Sequence, residues 1–410
     1  MSDSPPGVIQ IIRNLEIGGA QEVVRTLAAH LPGIGCRVVV CTFRDGPLRA
    51  EIEGLGIPVE VLPDRRHGVV ALPLFIVEML RLRRALAEVV RRYRATVIQT
   101  HLLQVLDFLV LTLRFRSDLL VFWTIHNSNF TLRADQVRRY RWMLGPKRLA
   151  YRLLYRLGAR WVAGLIAVSD EVETAILEEI GPIRDKITVI CNGVDTARYA
   201  RPADRAGVRR ALGLPDDARL LALVGTMKPQ KGHRFLIEAA REVVPHCTAL
   251  HILFVGDGAA RAELEARAAA SGIGEHIHFL GNRSDVPDLL AACDLFVLPS
   301  LWEGLPMALI EAMASGLPVI ASEVSGTRQV VIPGETGLLV PPGDVPALRA
   351  AMIAMIENPA RAAAMGAAGR RRVEAAFSAS KQAAEHAALY HQAARRLVGQ
   401  QHAPGMEPES

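Results

Sequence analysis

Cysteine is scarce in this chain, and its five copies, Cys36, Cys41, Cys191, Cys247 and Cys293, are odd in number, far apart and mostly set in apolar strand-like runs. That spacing indicates neither a disulfide framework nor a zinc site, and it fits a reducing cytoplasm. Long hydrophobic runs are missing too. The apolar stretch from Leu106 to Leu113 is broken by Asp107 and closed by Arg114, Arg116 and Asp118, which is too short to cross a bilayer. The N-terminus, MSDSPPGVIQ, has no basic region leading into an apolar core, so no secretory signal is expected. No short-period repeat is visible, and the 33 glycines and 24 prolines are spread rather than clustered, which removes the fibrous and low-complexity classes.

What is present is ample apolar material. A chain of 410 residues that is 50% hydrophobic can build two domains with full cores. The net charge of +6 is uneven, with arginine concentrated in the N-terminal half, and this asymmetry suggests an anionic partner. Strands are expected at Val8 to Ile12, Arg37 to Thr42, Val59 to Leu62, Thr96 to Thr100, Leu119 to Ile125 and Leu165 to Val168, alternating with helical stretches. A second alternating series follows, at Leu220 to Val224, Leu250 to Val255, His276 to Leu280, Leu295 to Leu298 and Gly337 to Val340. The alternation predicts parallel, right-handed βαβ sheets, an α/β protein.

The most informative stretch is LFVLPSLWEGLPMALIEAMASGLPVIAS, from Leu295 to Ser322. A strand closed by Pro299 and Ser300 leads through a loop to a helix whose first position is expected to be Pro306, since proline there forfeits no hydrogen bond. Gly316 ends that helix. The loop holding Glu303, Gly304 and Leu305 thus meets a helix N-terminus, where free N–H groups favour an anion. Glu311 lies in the second turn of the same helix. Two carboxylates from one segment suit the hydroxyls of sugars and riboses, although Glu303 as a helix cap and Glu311 as a solvated residue is the plainer alternative.

Similar anion logic recurs elsewhere. Gly225, Thr226, Lys228, Lys231 and Gly232 sit in GTMKPQKGH, between a strand and a helix expected from about His233 to Val244. Gly18 and Gly19 stand between the first strand and its helix, either as a close-approach loop or as a tight turn. His101 and His126 fall just beyond strands, at the carboxyl edge; an ordinary structural histidine is the alternative for each. Gly256-Asp257-Gly258 superficially suggests a dinucleotide fingerprint, but Arg261 replaces the third glycine and the segment reads as a turn. In GNRSDVPDLL, Ser284 or Asp285 is the expected cap of the next helix.

EGLPMALIEAMASGLPVIAS closely resembles the glutamate, seven-residue gap, glutamate signature of retaining glycosyltransferase family 4. WTIHN, NGVD and the lysine of KPQKG match further family positions, so the resemblance covers nearly the whole chain. It implies the GT-B fold, two Rossmann-like parallel-sheet domains facing across a cleft. The expected division is an acceptor-side domain over 1–198, a linker over 199–216, a nucleotide-sugar domain over 217–377, a helix over 378–400 crossing back, and a disordered tail over 401–410.

The resemblance also implies roles. Lys231 would neutralise the donor diphosphate with Gly225 and Thr226, although the family often has arginine where Thr226 stands, and Lys228 is the candidate substitute. Glu311 would hold the ribose, Glu303 and His126 the transferred sugar, and Gly304, Leu305 and Pro306 would complete the donor loop. Arg283 would face the nucleobase, Gly18 and Gly19 the diphosphate or the acceptor, and His101 the acceptor. No metal or cofactor is implied, the nucleotide sugar being a co-substrate, and the acceptor is a glycan or a lipid-linked glycan.

Two arginine-rich stretches bear on location. LRRALAEVVRRYR ends at Arg94, and a second holds Arg138, Arg139, Arg141, Lys147, Arg148, Arg152, Arg156 and Arg160 interleaved with Trp142, Leu144, Leu149, Tyr151, Leu153, Leu154 and Tyr155. That composition suits an anionic membrane surface, or alternatively a solvated basic face over a packed apolar one. A cytoplasmic enzyme peripheral on the inner face of the plasma membrane is the expectation. No nucleic-acid-binding module accompanies the charge, so nucleic acid is not expected as a partner. The competing functions are a non-catalytic nucleotide-sugar sensor, which Thr226 keeps open, and a nicotinamide-dependent oxidoreductase, against which the missing fingerprint glycines count.

Overall fold

A computed structural model describes residues 5–64, 72–101, 105–114, 119–126, 144–200 and 204–401. The chain divides into two compact units, Met1–Ile190 with Ser380–Ser410, and Cys191–Ala379. Arg138, Arg139, Arg141 and nearly all of the expected disordered tail lie outside the described residues.

The first unit runs β1 (Gly7–Asn14), α1 (Gly19–His30), β2 (Arg37–Arg44), α2 (Leu48–Gly54), β3 (Val59–Val61), α3 (Leu72–Arg92), β4 (Val97–His101), α4 (Val105–Leu111), β5 (Leu120–Ile125), α5 (Leu144–Gly158), β6 (Gly164–Ala167), α6 (Asp170–Ile180) and β7 (Ile187–Val189). Every described strand pair is parallel, in the order β3-β2-β1-β4-β5-β6-β7. Buried on both faces, the central strands read as the near-continuous apolar runs GVIQII and LVFWTI.

The second unit runs α7 (Thr196–Tyr199), α8 (Arg205–Ala211), β8 (Arg219–Val224), α9 (His233–Val243), β9 (Leu250–Val255), α10 (Arg261–Ala270), β10 (Ile277–Gly281), α11 (Val286–Ala292), β11 (Leu295–Leu298), α12 (Met307–Ala314), β12 (Val319–Ser322), α13 (Ser325–Val330), β13 (Leu338–Val340), α14 (Val345–Glu357) and α15 (Pro359–Ala376). Its sheet is again parallel, ordered β10-β9-β8-β11-β12-β13. The last helix, α16 (Ala379–Gln401), returns to the first unit, where the buried Tyr390 packs against Phe122.

In both sheets the strand order reverses once, at β1/β4 and at β8/β11. Loops leaving the carboxyl ends of the two reversal strands diverge to opposite faces, and the crevice they leave is where open α/β sheets bind ligands. The β1–α1 loop and His101 flank the first reversal, and the β8–α9 and β11–α12 loops flank the second.

The segment expected as a linker is partly helical. Asp204 caps α8 by accepting from Gly207 N at 2.7 Å, a signal hidden among the prolines and charges around it. Arg209 is buried at 5% exposure; its guanidinium donates to Ala218 O at 3.0 and 2.8 Å and to Asp294 Oδ2 at 3.3 Å. Asp294 in turn accepts from Leu220 N at 2.8 Å, so α8 is tied to the start of β8. Arg209→Met is expected to lower stability by about 1–3 kcal/mol, because it strands these acceptors. A denaturant midpoint unchanged from that of the parent protein would contradict this.

Candidate functional site

In the second unit the candidate site lies at the β8/β11 reversal. Gly232 takes φ 71°, and a Cβ there would stand 1.9 Å from Pro299 O, so only glycine lets the β8–α9 loop press against the end of β11. Two further bonds knit the loops. Leu301 N donates to Gln230 O and Gln230 Nε2 donates to Trp302 O, each at 2.8 Å. Behind them, the GDG turn packs under Met227: Met227 N donates to Asp257 O at 2.9 Å, and a Cβ on Gly258 would meet Met227 O at 2.5 Å. Those glycines serve close packing, as the turn reading requires.

This scaffold brings Lys231 and Glu303 together. Lys231 Nζ donates to Glu303 Oε1 at 2.6 Å, and Ser300 Oγ donates to the same oxygen at 2.6 Å. Glu303 is 6% exposed, so its carboxylate is held in place by a cation and a hydroxyl instead of capping the helix. Gly225 lies alongside the Lys231 stem, a Cβ there falling 3.4 Å from Lys231 Cε. Thr226 and Lys228 are exposed on the same loop. Ser300 and Gln230 carry structural weight that the sequence reading did not assign; a polar residue directly closing an apolar strand was the available signal for Ser300.

Pro306 is the N-cap of α12 and not its first residue, because its ψ of 104° is extended and Met307 begins the helical turn. Leu305 is buried and Gly304 backs onto α13, where a Cβ on Gly326 would lie 2.4 Å from Gly304 O. Glu311 is 8% exposed within an almost wholly buried helix, which removes the solvated-residue alternative. Gly316 ends the helix at φ 77°, its N–H donating to Met313 O while Leu317 N donates to Ala312 O. Arg283 forms a two-pronged pair with Asp285, at 2.7 and 2.6 Å. Asp285 therefore occupies the N-cap of α11 without a side-chain cap bond, its carboxylate being engaged by arginine.

In the first unit the candidate residues gather at the β1/β4 reversal. Gly18 is the N-cap of α1 with an extended φ of −176°, and Gly19 opens the helix; neither needs glycine's left-handed freedom. Gln21 Nε2 donates to Asn14 Oδ1 at 2.6 Å across that loop. His101 is the last residue of β4, one position earlier than expected, and lies 3% exposed. His126 follows β5, and the two rings are bonded directly, His101 Nδ1 to His126 Nε2 at 2.9 Å. Burial, followed by the His126 and His386 charges, pushes His101 well below the ordinary imidazole value. Burial and His386 push His126 down to about 4. Both rings are neutral at neutral pH.

The sequence matches Glycosyltransferase Family 4 over residues 17–198 and Glycosyl transferases group 1 over residues 204–372. The chain belongs to glycosyltransferase family 4. This family 4 chain is 32% identical over 216 residues to the lipopolysaccharide core biosynthesis mannosyltransferase LpsB of Rhizobium meliloti, covering 50% of the chain and 60% of the relative. It is 37% identical over 198 residues to a GDP-mannose-dependent monoacylated phosphatidylinositol monomannoside mannosyltransferase of Corynebacterium glutamicum, covering 46% of the chain and 51% of the relative. The chain thus spans about half the length of the curated relatives it matches. Among solved structures it superposes on Anabaena HepE in complex with UDP and glucose, with a TM-score of 0.79, 23% identity, and coverage of 94% and 100% of the two chains. WaaG, a glycosyltransferase involved in lipopolysaccharide biosynthesis, gives a TM-score of 0.70 at 18% identity, with coverage of 96% and 100%. These structural likenesses establish the GT-B fold of the family 4 chain.

His233 and His386 are also buried and held to about 4, burial being the main cause. An unfolded chain protonates histidine near 6.5, so unfolding takes up protons below that pH. Stability is therefore complete above about pH 7 and falls as the pH drops towards 4, by about 1.4 kcal/mol per pH unit for each such histidine. Urea midpoints measured at pH 7.5, 6 and 5 are expected to fall in that order; equal midpoints would refute it.

Proposed function

We propose that the protein is a glycosyltransferase that moves a sugar from a nucleotide-diphosphate sugar to a glycan or lipid-linked acceptor with retention of configuration. The observation that carries this reading is the Lys231–Glu303–Ser300 cluster at the β8/β11 reversal, with the buried Glu311 on the helix that follows. The printed functions of the relatives, in lipopolysaccharide core and phosphatidylinositol mannoside synthesis, support the acceptor class.

In this reading the second unit binds the donor and the first provides the acceptor surface. Lys231, Gly225 and Thr226 take the diphosphate, and Gly304, Leu305 and Pro306 lead it to the N-terminus of α12. Glu311 binds the ribose, Glu303 and His126 the transferred sugar, Arg283 the base, Gly18 and Gly19 the diphosphate or acceptor, and His101 the acceptor. One Lys231 proton is committed to Glu303, leaving two N–H donors for the departing diphosphate, whose negative charge grows in the transition state. With Glu303 engaged by Lys231 and Ser300 and Glu311 assigned to the ribose, neither is left to serve as the nucleophile or acid of a retaining glycosidase. The acceptor oxygen therefore bonds to the anomeric carbon on the face from which the diphosphate leaves, and a leaving phosphate oxygen takes the acceptor's proton.

A thermal-shift screen against uridine, guanosine and adenosine diphosphates and their sugar conjugates tests the donor site. One nucleotide series is expected to raise the Tm, and Glu311→Ala to abolish most of that rise. Lys231→Ala is expected to lower kcat by about 100-fold or more, the scale of losing a donor to a developing anion. No nucleotide shift at all, or a covalent glycosyl-enzyme trapped during turnover, would overturn the reading.

The acceptor class bears on a surface of the first unit. Leu149, Leu153, Leu154 and Leu157 of α5, and Trp161 after it, are 47–57% exposed and stand among Arg152, Arg156 and Arg160. On α3, Leu74, Ile76, Val77 and Leu80 are likewise exposed. Both helices connect strands in the same direction across the sheet, which places them on one face by the right-handed crossover rule. We assign this face to an anionic membrane. Among the described residues no helix is long and apolar enough to cross one. Vesicles containing anionic lipid are expected to bind the protein at low salt and release it at high salt. Leu153→Glu with Leu157→Glu should weaken that binding at least tenfold without changing the Tm; unchanged binding would refute the assignment.

A further inference from the structure

Buried polar side chains, Gln10, Gln99 and Thr124 among them, interrupt the apolar strands of the first unit. Gln10 and Gln99 are wholly buried and Thr124 is 2% exposed. Parallel register sets Gln10 beside Gln99, Gln99 beside Phe122, and His101 beside Thr124. Because side chains alternate along a strand, Gln10, Gln99, His101, Thr124 and His126 all project from one face of the sheet. That face is covered by α16, whose Tyr390 packs against Phe122 there.

These groups form one hydrogen-bond chain. Gln99 Nε2 donates to Thr124 Oγ1 at 2.6 Å, and Gln99 Oε1 accepts from the Tyr390 hydroxyl and from Gln10 Nε2 at 3.3 Å. Gln10 Nε2 also reaches Tyr390 Oη at 3.3 Å, and its carbonyl oxygen meets His101 Nε2 at 2.7 Å. The chain ends at the 2.9 Å contact between His101 Nδ1 and His126 Nε2.

The direction of each bond follows from the one before it. An amide oxygen only accepts, so His101 Nε2 carries a proton. A neutral imidazole has one N–H, so His101 Nδ1 is a lone pair and His126 Nε2 must be the donor to it. His126 Nδ1 is then the remaining acceptor. We infer that Gln10 is a positioning residue that fixes His126 as its Nε2–H tautomer, so that Nδ1 accepts a hydrogen bond from a hydroxyl of the transferred sugar. The part concerning the sugar rests on the proposed function; the part concerning the tautomer does not. Burial and the neighbouring His386 keep both rings neutral, as the chain requires. Turning Gln99 alone would set two NH₂ groups against each other and turning Gln10 alone would oppose two carbonyl oxygens, so the chain has one alternative polarity, with both amides reversed and His126 Nδ1 protonated.

Nitrogen-15 NMR of the full-length protein labelled at histidine distinguishes the two polarities in the absence of ligand, with His126→Gln assigning the signals. His126 Nδ1 is expected to resonate as an unprotonated nitrogen and Nε2 as an N–H. Gln10→Met, which keeps the side-chain bulk but removes the acceptor, should move both shifts towards their average; Tyr390→Phe should do so more weakly. A protonated His126 Nδ1 in the parent protein, or shifts unmoved by Gln10→Met, would overturn the inference, and the first of these does not depend on Gln10→Met folding.

Deoxy and deoxyfluoro donor analogues test the sugar contact. Fluorine cannot donate, so at the hydroxyl served by His126 both analogues should lose about tenfold or more in affinity, and His126→Ala should erase the difference from the parent sugar. Retained affinity of the fluoro analogue alone would mean that His126 donates and would overturn the inference. Insensitivity of every sugar position to His126 would refute the placement of the sugar in the proposed function, while the NMR shifts would still decide the tautomer.

Discussion

The all-parallel sheet is the constraint from which the candidate sites follow. Each parallel neighbour requires a crossover of a fixed hand, so both faces are covered by helices and only the strand ends remain approachable. Where strand order reverses, at β1/β4 and β8/β11, the departing loops separate and cannot fill the space between them. His101, the β1–α1 loop, Lys231 and Glu303 flank those two reversals. The chemistry stands where the packing is forced to open.

Keeping those openings ordered requires close backbone contact. Gly232 against Pro299 and Gly258 against Met227 leave no room for a methyl group, and the bonds through Gln230 lock the two loops of the second unit to each other. The ion pair can therefore be small and well defined. A carboxylate as buried as Glu303 would be costly alone, and Lys231 with Ser300 offsets that cost while fixing its direction. In the first unit a neutral polar network does the corresponding work, bonding the amides of Gln10 and Gln99 and both ring nitrogens of His101.

Much of this was legible in the chain. The strands appear as short apolar runs, and most differ from expectation by one or two residues at their ends, where hydrogen bonding and not composition sets the boundary. Helix α8 was hidden because its cap, Asp204, lies in a stretch rich in proline and charge, and because its buried Arg209 looks like a surface residue until Asp294, far along the chain, comes beside it. Gln10 and Gln99 were visible as polar interruptions in VIQII and VIQTH, but nothing local says that they bond to each other or to Tyr390. Arg283 and Asp285 stand two residues apart, and their pairing depends on a loop conformation that spacing alone does not fix.

The sequence by itself determined the alternation of strands and helices, the glycine and proline positions that start and stop them, and the EGLPMALIE segment with its two carboxylates, because these depend on local conformational preference and periodicity. The tertiary structure decided which residues act together: Lys231 with Glu303, His101 with His126, and Gln10 between the histidines and α16. Those pairs are separated by tens to hundreds of residues, and only the order of strands in each sheet brings them within bonding distance.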